Sequence, residues 1–173
     1  MQKIFSYPLK LEDMSKNTQT YLLKASPEEL EFITEIMQVP AVRSFVAKVN
    51  VELNSREHRA DIWGNVEADV EQESVVSLED FTRHYATDFA LVFDTKMTLA
   101  EQMAMELENE DAEVPDILDD GQVDLAAVAM EQLALILDDF PRKDGEVFKF
   151  ESEFDEETTQ NNNPFAVLKN LKK

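Results

Sequence analysis

The sequence predicts an α+β fold, in which a largely antiparallel β-sheet packs with two or three helices. Two observations carry this prediction. Apolar and polar residues alternate over residues 45–70, which is typical of strands with one buried and one solvated face. Residues 125–137 are apolar nearly all round with one charge, Glu131, which is typical of a buried helix. The pattern leaves open whether the sheet closes into a barrel.

The alternating segment predicts a long antiparallel hairpin. Apolar residues occupy every second position from Phe45 to Leu53, and the same period resumes from Ala60 to Val70 after the polar link 54–57. Trp63 falls on the polar face of this hairpin. There it covers a neighbouring element, marks a contact surface, or is a partly buried surface side chain, and the pattern does not choose among these.

The other predicted elements are shorter. A helix over 27–38 begins with Ser26 as its N-cap, Pro27 at the first position and Glu29 three residues after the cap. Asp124 is the predicted N-cap of the buried helix, which we expect to pack across the sheet. The remaining predictions are strands over 3–11, 18–25, 89–93 and 147–150 and a helix over 98–108.

The 173 residues predict one domain with a tail. We assign residues 1–150 to a single α+β domain with an acidic loop at about 101–121, and residues 151–173 to a flexible tail. From Glu101 to Gly121 there are nine carboxylates and neither Lys nor Arg, and the segment beyond the 98–108 helix is expected to be mobile.

The charge and composition exclude several classes of function. Sixteen Lys and Arg against 37 Asp and Glu give a formal net charge of −21, which disfavours broad binding to nucleic acid or to anionic membranes. The absence of cysteine excludes disulfides, thiolate zinc sites and a cysteine nucleophile. No apolar run is long enough for a membrane span, and the N-terminus has no signal-peptide core. We therefore expect a cytoplasmic protein that associates with basic partners and not with a membrane.

No catalytic motif is present. His58 and His84 lie outside any recognisable motif, and the three glycines are isolated, so no phosphate-binding loop exists. We expect no catalytic residue, no metal, no cofactor and no small-molecule substrate. The alternative is a nuclease that holds a divalent cation on Asp116, Asp119 and Asp120, although these lack the full spacing of a calcium loop.

The last ten residues contrast with the acidic body. Pro164 can begin a helix that places Phe165, Leu168 and Leu171 on one face, and lysines are the only local charges. Such a basic amphipathic segment binds a partner or docks on the chain's own domain, and both interpretations stay open. The candidate partner-binding residues are Asn163, Pro164, Phe165, Leu168, Lys169, Leu171, Lys172 and Lys173.

Three patterns in their order resemble one bacterial family. The chain ends with Asn163-Pro164-Phe165-Ala166-Val167-Leu168 and then Leu171-Lys172-Lys173. Earlier come Val123-Asp124-Leu125, leading through 131–135 to Pro141, and Gly64-Asn65-Val66, leading to 74–77 and Phe81. Together they resemble the YceD-like family, named for accumulation of large-subunit ribosomal RNA. Many members carry a Cys-x-x-Cys pair where this chain has Ser74 and Ser77, and serines cannot supply thiolates for zinc.

The resemblance implies a role in accumulation of 23S rRNA and in biogenesis of the large ribosomal subunit, without enzymatic activity. Independently of the resemblance, the charges predict a basic ribosomal protein or a large-subunit precursor particle as the partner. The positive charge of the C-terminal tail favours local contact with rRNA or with a protein groove. An acidic body suits a basic ribosomal protein by charge complementarity. Composition alone equally supports an acidic interaction or chaperone module unrelated to ribosomes.

Overall fold

A computed structural model describes residues 4–14, 17–108, 114–118 and 121–147. The chain divides into two compact units, Met1–Lys143 and Asp144–Lys173. All the helices and strands given below lie in the first unit. No helix among the described residues is long and apolar enough to cross a membrane.

Two sheets form the β-structure. The larger has the strand order β2-β3-β4-β5-β6, with antiparallel pairing from β2 to β5 and parallel pairing of β5 with β6, and the smaller pairs β1 with β7. Within the described residues the larger sheet is open, because β2 and β6 are its edges. The strands are β1 Pro8–Lys10, β2 Gln19–Lys24, β3 Ala41–Asn54, β4 Arg59–Glu73, β5 Asp80–Asp94, β6 Asp116–Ile117 and β7 Gln122–Asp124.

The helices begin where side chains satisfy free backbone N–H groups. In α1, Pro27–Met37, the N–H of Ser26 donates to Glu29 Oε2 at 2.8 Å. In α2, Leu99–Glu108, the N–H of Thr98 donates to Glu101 Oε2 at 2.9 Å. In α3, Leu125–Ile136, Asp124 Oδ1 accepts from the N–H groups of Ala126 and Ala127 at 2.9 and 3.2 Å, which confirms the predicted cap.

The core lies between one sheet face and two helices. α1 packs mainly on β3, and α3 packs mainly on β5 and β4. The inward face of the β3–β4 hairpin is the predicted apolar one, with Phe45, Val49, Ile62 and Val66 essentially buried. This arrangement of a largely antiparallel sheet with three helices confirms the predicted α+β class.

Some predicted elements differ in length. The strand predicted over 89–93 extends from Asp80 to Asp94 and pairs with β4 along its whole length. The strand predicted over 3–11 is too long. Within the described residues only Pro8–Lys10 form a strand, and a short 3-10 turn follows from Leu11. Helix α3 is buried along one side only, since Leu135 is 72% exposed. Most of the strand predicted over 147–150 lies outside the described residues.

Candidate functional site

The sheet face that points away from α1 and α3 is exposed to solvent, and we call it the outer sheet face. It consists of the alternate residues of β2, β3, β4 and β5 that do not enter the core. All of these residues are exposed or half-buried. Its carboxylates are Glu52, Asp61, Glu67, Asp69, Glu71, Glu73, Asp80, Asp88 and Asp94, and its cations are Lys24, Arg43, Lys48 and Arg59.

Two of these cations pair with carboxylates of the same face. Arg43 contacts Glu71 across the β3–β4 pair, and Arg59 contacts Asp61 along β4. Both pairs are exposed, so each contributes little to stability. The pairs neutralise two carboxylates and leave acidic groups such as Glu67 and Asp88 in excess, which gives the outer sheet face a negative potential.

Trp63 lies in the middle of the outer sheet face. Its neighbours across the strands are Asn50 on β3 and Ala90 on β5. Asn50 Nδ2 donates to the Trp63 carbonyl oxygen at 3.2 Å, and Thr20 Oγ1 donates to Asn50 Oδ1 at 2.8 Å. The indole is half-buried, and side-chain hydrogen bonds join β2, β3 and β4 beside it. A large aromatic side chain in this setting is the type of residue that anchors protein interfaces.

A serine, an aspartate and a histidine meet farther along the same face. Ser44 Oγ donates to Asp69 Oδ2 at 2.7 Å, and His84 Nδ1 lies 2.8 Å from Asp69 Oδ1. The hydrogen bond from Ser44, followed by that from His84, lowers the pKa of Asp69. Nucleophilic catalysis needs the histidine between the hydroxyl and the carboxylate, so that the imidazole takes the hydroxyl proton. Here the carboxylate is in the middle, and the serine is not activated.

The residues weighed for metal binding are not brought together in the described structure. Asp116 lies exposed on β6, whereas Asp119 and Asp120 fall outside the described residues. No group of three or more His, Cys, Asp or Glu side chains suited to a metal ion occurs within the ranges that the structure describes. His58 lies in the turn between β3 and β4, with a positive φ of 55°.

Comparison with known proteins assigns the family. A family model described as large ribosomal RNA subunit accumulation protein YceD matches residues 62–172, more than half of the chain. The chain belongs to the YceD family. The match begins on β4 and includes β5, α2 and α3. No curated protein and no solved structure matches the chain. Membership in the YceD family supports a ribosome-related role.

The serine pair of this YceD-family chain forms the turn between β4 and β5. Ser74 is fully buried, and its Oγ accepts hydrogen bonds from the N–H groups of Val76 and Ser77 at 3.2 and 3.3 Å. Leu78 follows with a positive φ of 59°, and its N–H donates to the Ser74 carbonyl oxygen at 2.9 Å. The hydroxyl therefore closes the turn by hydrogen bonding.

The predicted partner-binding residues cannot be placed. All of them lie outside the residues that the structure describes. They are Asn163, Pro164, Phe165, Leu168, Lys169, Leu171, Lys172 and Lys173.

The contribution of β5 to the outer sheet face was not predicted, because only residues 89–93 were expected to form this strand. The inward residues Phe81, Tyr85, Phe89 and Phe93 carried the strand signal, but Arg83 and Thr87 interrupt their apolar series. An aromatic residue at every fourth position was the available indication of a continuous strand. Its recognition would have placed His84 and Asp88 on the exposed face.

Proposed function

We propose that this protein is a non-enzymatic factor that supports accumulation of 23S rRNA and biogenesis of the large ribosomal subunit by binding a basic ribosomal protein or a precursor particle. The observation that carries the proposal is the outer sheet face, where carboxylates outnumber cations and Trp63 is half-buried. Membership in the YceD family supplies the ribosomal context.

Charge decides which component of a ribosomal particle this surface prefers. A chain of net charge −21 is repelled by rRNA phosphates but attracts a basic protein and accelerates its docking. Ribosomal contact with RNA is then left to the basic segment Pro164–Lys173, where Lys169, Lys172 and Lys173 are the only charges. We therefore assign protein binding to the outer sheet face and RNA contact to the C-terminal segment.

The non-enzymatic part of the proposal is supported by the geometry of the polar groups. The Ser44–Asp69–His84 row has the residue types of a hydrolytic triad in an order that cannot deprotonate the serine. It serves instead to join β3, β4 and β5 through side-chain hydrogen bonds.

Binding in solution tests the outer sheet face directly. The full chain is titrated with a purified small basic large-subunit ribosomal protein at low salt, and then at rising salt. We expect the double variant E67K/D88K to weaken binding about tenfold, because it reverses two exposed charges of the outer sheet face. The matched control E12K/E31K makes the same change in net charge away from this face and should bind nearly as the parent does. Equal loss in both variants would reduce the effect to net charge and contradict the assignment.

The ribosomal role is tested in cells that lack the protein. The ratio of 23S to 16S rRNA is measured with the parent chain, with E67K/D88K and with E12K/E31K supplied in trans. We expect a lowered ratio without the protein, restored by the parent and by E12K/E31K. An unchanged ratio, together with an unbiased pull-down free of ribosomal proteins and rRNA, would instead favour an acidic interaction module that acts outside ribosome assembly.

A further inference from the structure

A groove separates the two helices on the inner side of the sheet. One wall is the end of α1 and the turn that follows it, with Ile36, Met37 and Val39. The other wall is the face of α3 that carries Ala127, Met130 and Ala134. The volume of the groove is about 640 Å³, which lies within the usual size range of ligand-binding pockets. We call it the interhelical groove.

The groove exists because of the side chains that face it. α1 packs mainly on β3 and α3 mainly on β5 and β4, so a gap remains between the helices. On α3, Ala127 and Ala134 are exposed and too small to fill that gap. On α1, Ile36 remains 55% exposed although it is a large apolar residue. The result is an apolar floor with no described segment lying on it.

One wall of the groove is fixed by a buried polar network. Gln72 is only 4% exposed, its Nε2 donates to the Asp138 carbonyl oxygen at 3.3 Å, and its Oε1 accepts from the Tyr85 hydroxyl. Arg83 Nη1 contacts Asp138 Oδ2 at 3.1 Å. These bonds hold the segment after α3 against β4 and β5, which fixes this wall of the groove in the absence of a ligand.

The rim of the groove is acidic. Glu73, Glu131, Asp138 and Asp139 lie along it, and none of its lining residues is Lys or Arg in the described structure. The charge of Asp138 is partly offset by Arg83, while Glu131 and Asp139 are exposed on the rim. An apolar floor between carboxylates is complementary to a peptide that carries apolar and cationic side chains together.

We infer that the interhelical groove binds a basic amphipathic segment of a partner protein, with its apolar side chains on the floor and its Lys or Arg side chains at the rim. Two other occupants are disfavoured on charge. A nucleic acid would place phosphates against the rim carboxylates. A second copy of this chain carries a net charge of −21 and would be repelled. Of the groove's lining residues, Glu73 alone also belongs to the outer sheet face, and the inference does not depend on that face.

The test uses the full chain and a fluorescent synthetic peptide of leucine and lysine in helical amphipathic order, with a scrambled peptide of the same composition as the ligand control. Binding is measured by anisotropy. We expect E131K/D139K to weaken binding of the amphipathic peptide about tenfold, because both charges border the floor. E12K/E31K, which borders neither the groove nor the outer sheet face, makes the same change in net charge and should change binding less than about twofold.

A second variant tests the floor without changing charge. Ala127→Leu together with Ala134→Leu fills the groove at exposed helix positions, and leucine keeps a high helix propensity, so the fold should persist. We expect this variant to lose binding of the amphipathic peptide while its circular dichroism and melting temperature stay close to those of the parent.

Three outcomes would overturn the inference. Equal weakening by E131K/D139K and E12K/E31K would mean that the peptide senses only the overall acidity. Retained binding in the filled variant would place the peptide elsewhere. If the amphipathic peptide binds only to a chain truncated after Asn163, the groove is occupied by the chain's own basic segment and not by a partner. Because rRNA is not measured, these results stand apart from the ribosomal role.

Discussion

The carboxylate of Asp124 accepts a hydrogen bond at 2.8 Å from the backbone N–H of Tyr7, a residue 117 positions earlier in the chain. The same carboxylate caps α3 through the N–H groups of Ala126 and Ala127 and accepts from the Ser6 hydroxyl. In return, the N–H of Leu125 donates to the Tyr7 carbonyl oxygen at 3.0 Å. One side chain therefore begins the buried helix and fixes the N-terminal segment to it.

Replacement of Asp124 should lower the stability of the fold more than is usual for a half-buried residue. We expect Asp124→Ala to lower the free energy of unfolding by about 2–3 kcal/mol, because a helix cap and two further hydrogen bonds are lost together. Denaturant unfolding measures the change. Asp124→Asn is the matched control, since asparagine also caps helices, and it should cost clearly less. Equal losses in the two variants would show that the hydrogen bonds are not what the carboxylate supplies.

The charge of Asp124 also makes a pH-dependent contribution. Burial opposes ionisation, but the hydrogen bonds from Ser6, Tyr7 and the start of α3 outweigh it and lower the pKa of Asp124 in the folded state. A lowered folded pKa adds stability that is complete above the unfolded pKa of about 3.9 and disappears as pH falls through the folded value. The stability difference between parent and Asp124→Asn should thus be constant near neutral pH and shrink below about pH 4. A difference that grows in acid would contradict the sign.

Gly64 should tolerate no side chain. A Cβ at this position would lie 1.9 Å from the Lys48 carbonyl oxygen, a backbone atom of the paired strand β3. We expect Gly64→Ala to destabilise the protein by about 3 kcal/mol or more, because β3 and β4 must separate to make room. Gly121 is the matched control: it has a φ of +67° but nothing within 4 Å of its Cβ position. Its replacement by alanine should cost about 1–2 kcal/mol from backbone strain alone, which thermal unfolding can compare.

The sequence predicted the helix caps and the long hairpin, because these depend on residues that are close together in the chain. The caps of α1 and α3 and the inward face of the β3–β4 hairpin follow from residues that lie close together in the chain. The extent of β5 did not, because Arg83 and Thr87 face inward among aromatic residues. Arg83 is accommodated there by Asp138 and by the ring of Phe81, 5.2 Å from the guanidinium carbon, and neither the long-range pair nor this packing can be read from periodicity.

The candidate sites were less accessible to sequence analysis. The excess of acid was evident, but the outer sheet face assembles carboxylates from strands whose register is fixed only by pairing. The interhelical groove depends on the absence of bulk at Ala127 and Ala134, which in the sequence are ordinary helix-forming residues. The predicted binding residues of the C-terminal segment remain a prediction.

The Ser44–Asp69–His84 row gives a test of the non-enzymatic proposal. We expect Ser44→Ala and His84→Ala to leave the ratio of 23S to 16S rRNA at the parental value, because the serine hydroxyl donates to Asp69 and not to the histidine. Primer extension or northern analysis of the two rRNAs supplies the measurement. A loss of 23S rRNA in both variants, with unchanged melting temperatures, would favour chemistry at this row.

The C-terminal segment is tested by replacing Phe165, Leu168 and Leu171 together with alanine. If the segment recognises a partner, the triple variant should fail to restore the ratio of 23S to 16S rRNA in cells that lack the protein. Its melting temperature should stay the same, because only contacts with the partner are removed. Replacement of the neighbouring Asn161 and Asn162 by alanine is the control and should keep rescue. A lowered melting temperature in the triple variant would instead indicate that the segment stabilises the chain's own fold.

The buried pair of Gln72 and Tyr85 allows the rigidity of the groove wall to be measured. Tyr85→Phe leaves the side-chain Oε1 of Gln72 without its donor, and Gln72→Leu removes the acceptor of the Tyr85 hydroxyl and the donor to the Asp138 carbonyl oxygen. Each single variant should cost about 1–3 kcal/mol, which is the penalty for a buried polar group that loses its hydrogen bond. The double variant should cost less than the sum of the two, because the groups that were bonded to each other are removed together. Unfolding of the four proteins gives the coupling energy directly. Strict additivity would mean that the two side chains act independently and that their hydrogen bond adds nothing to the rigidity of the groove wall.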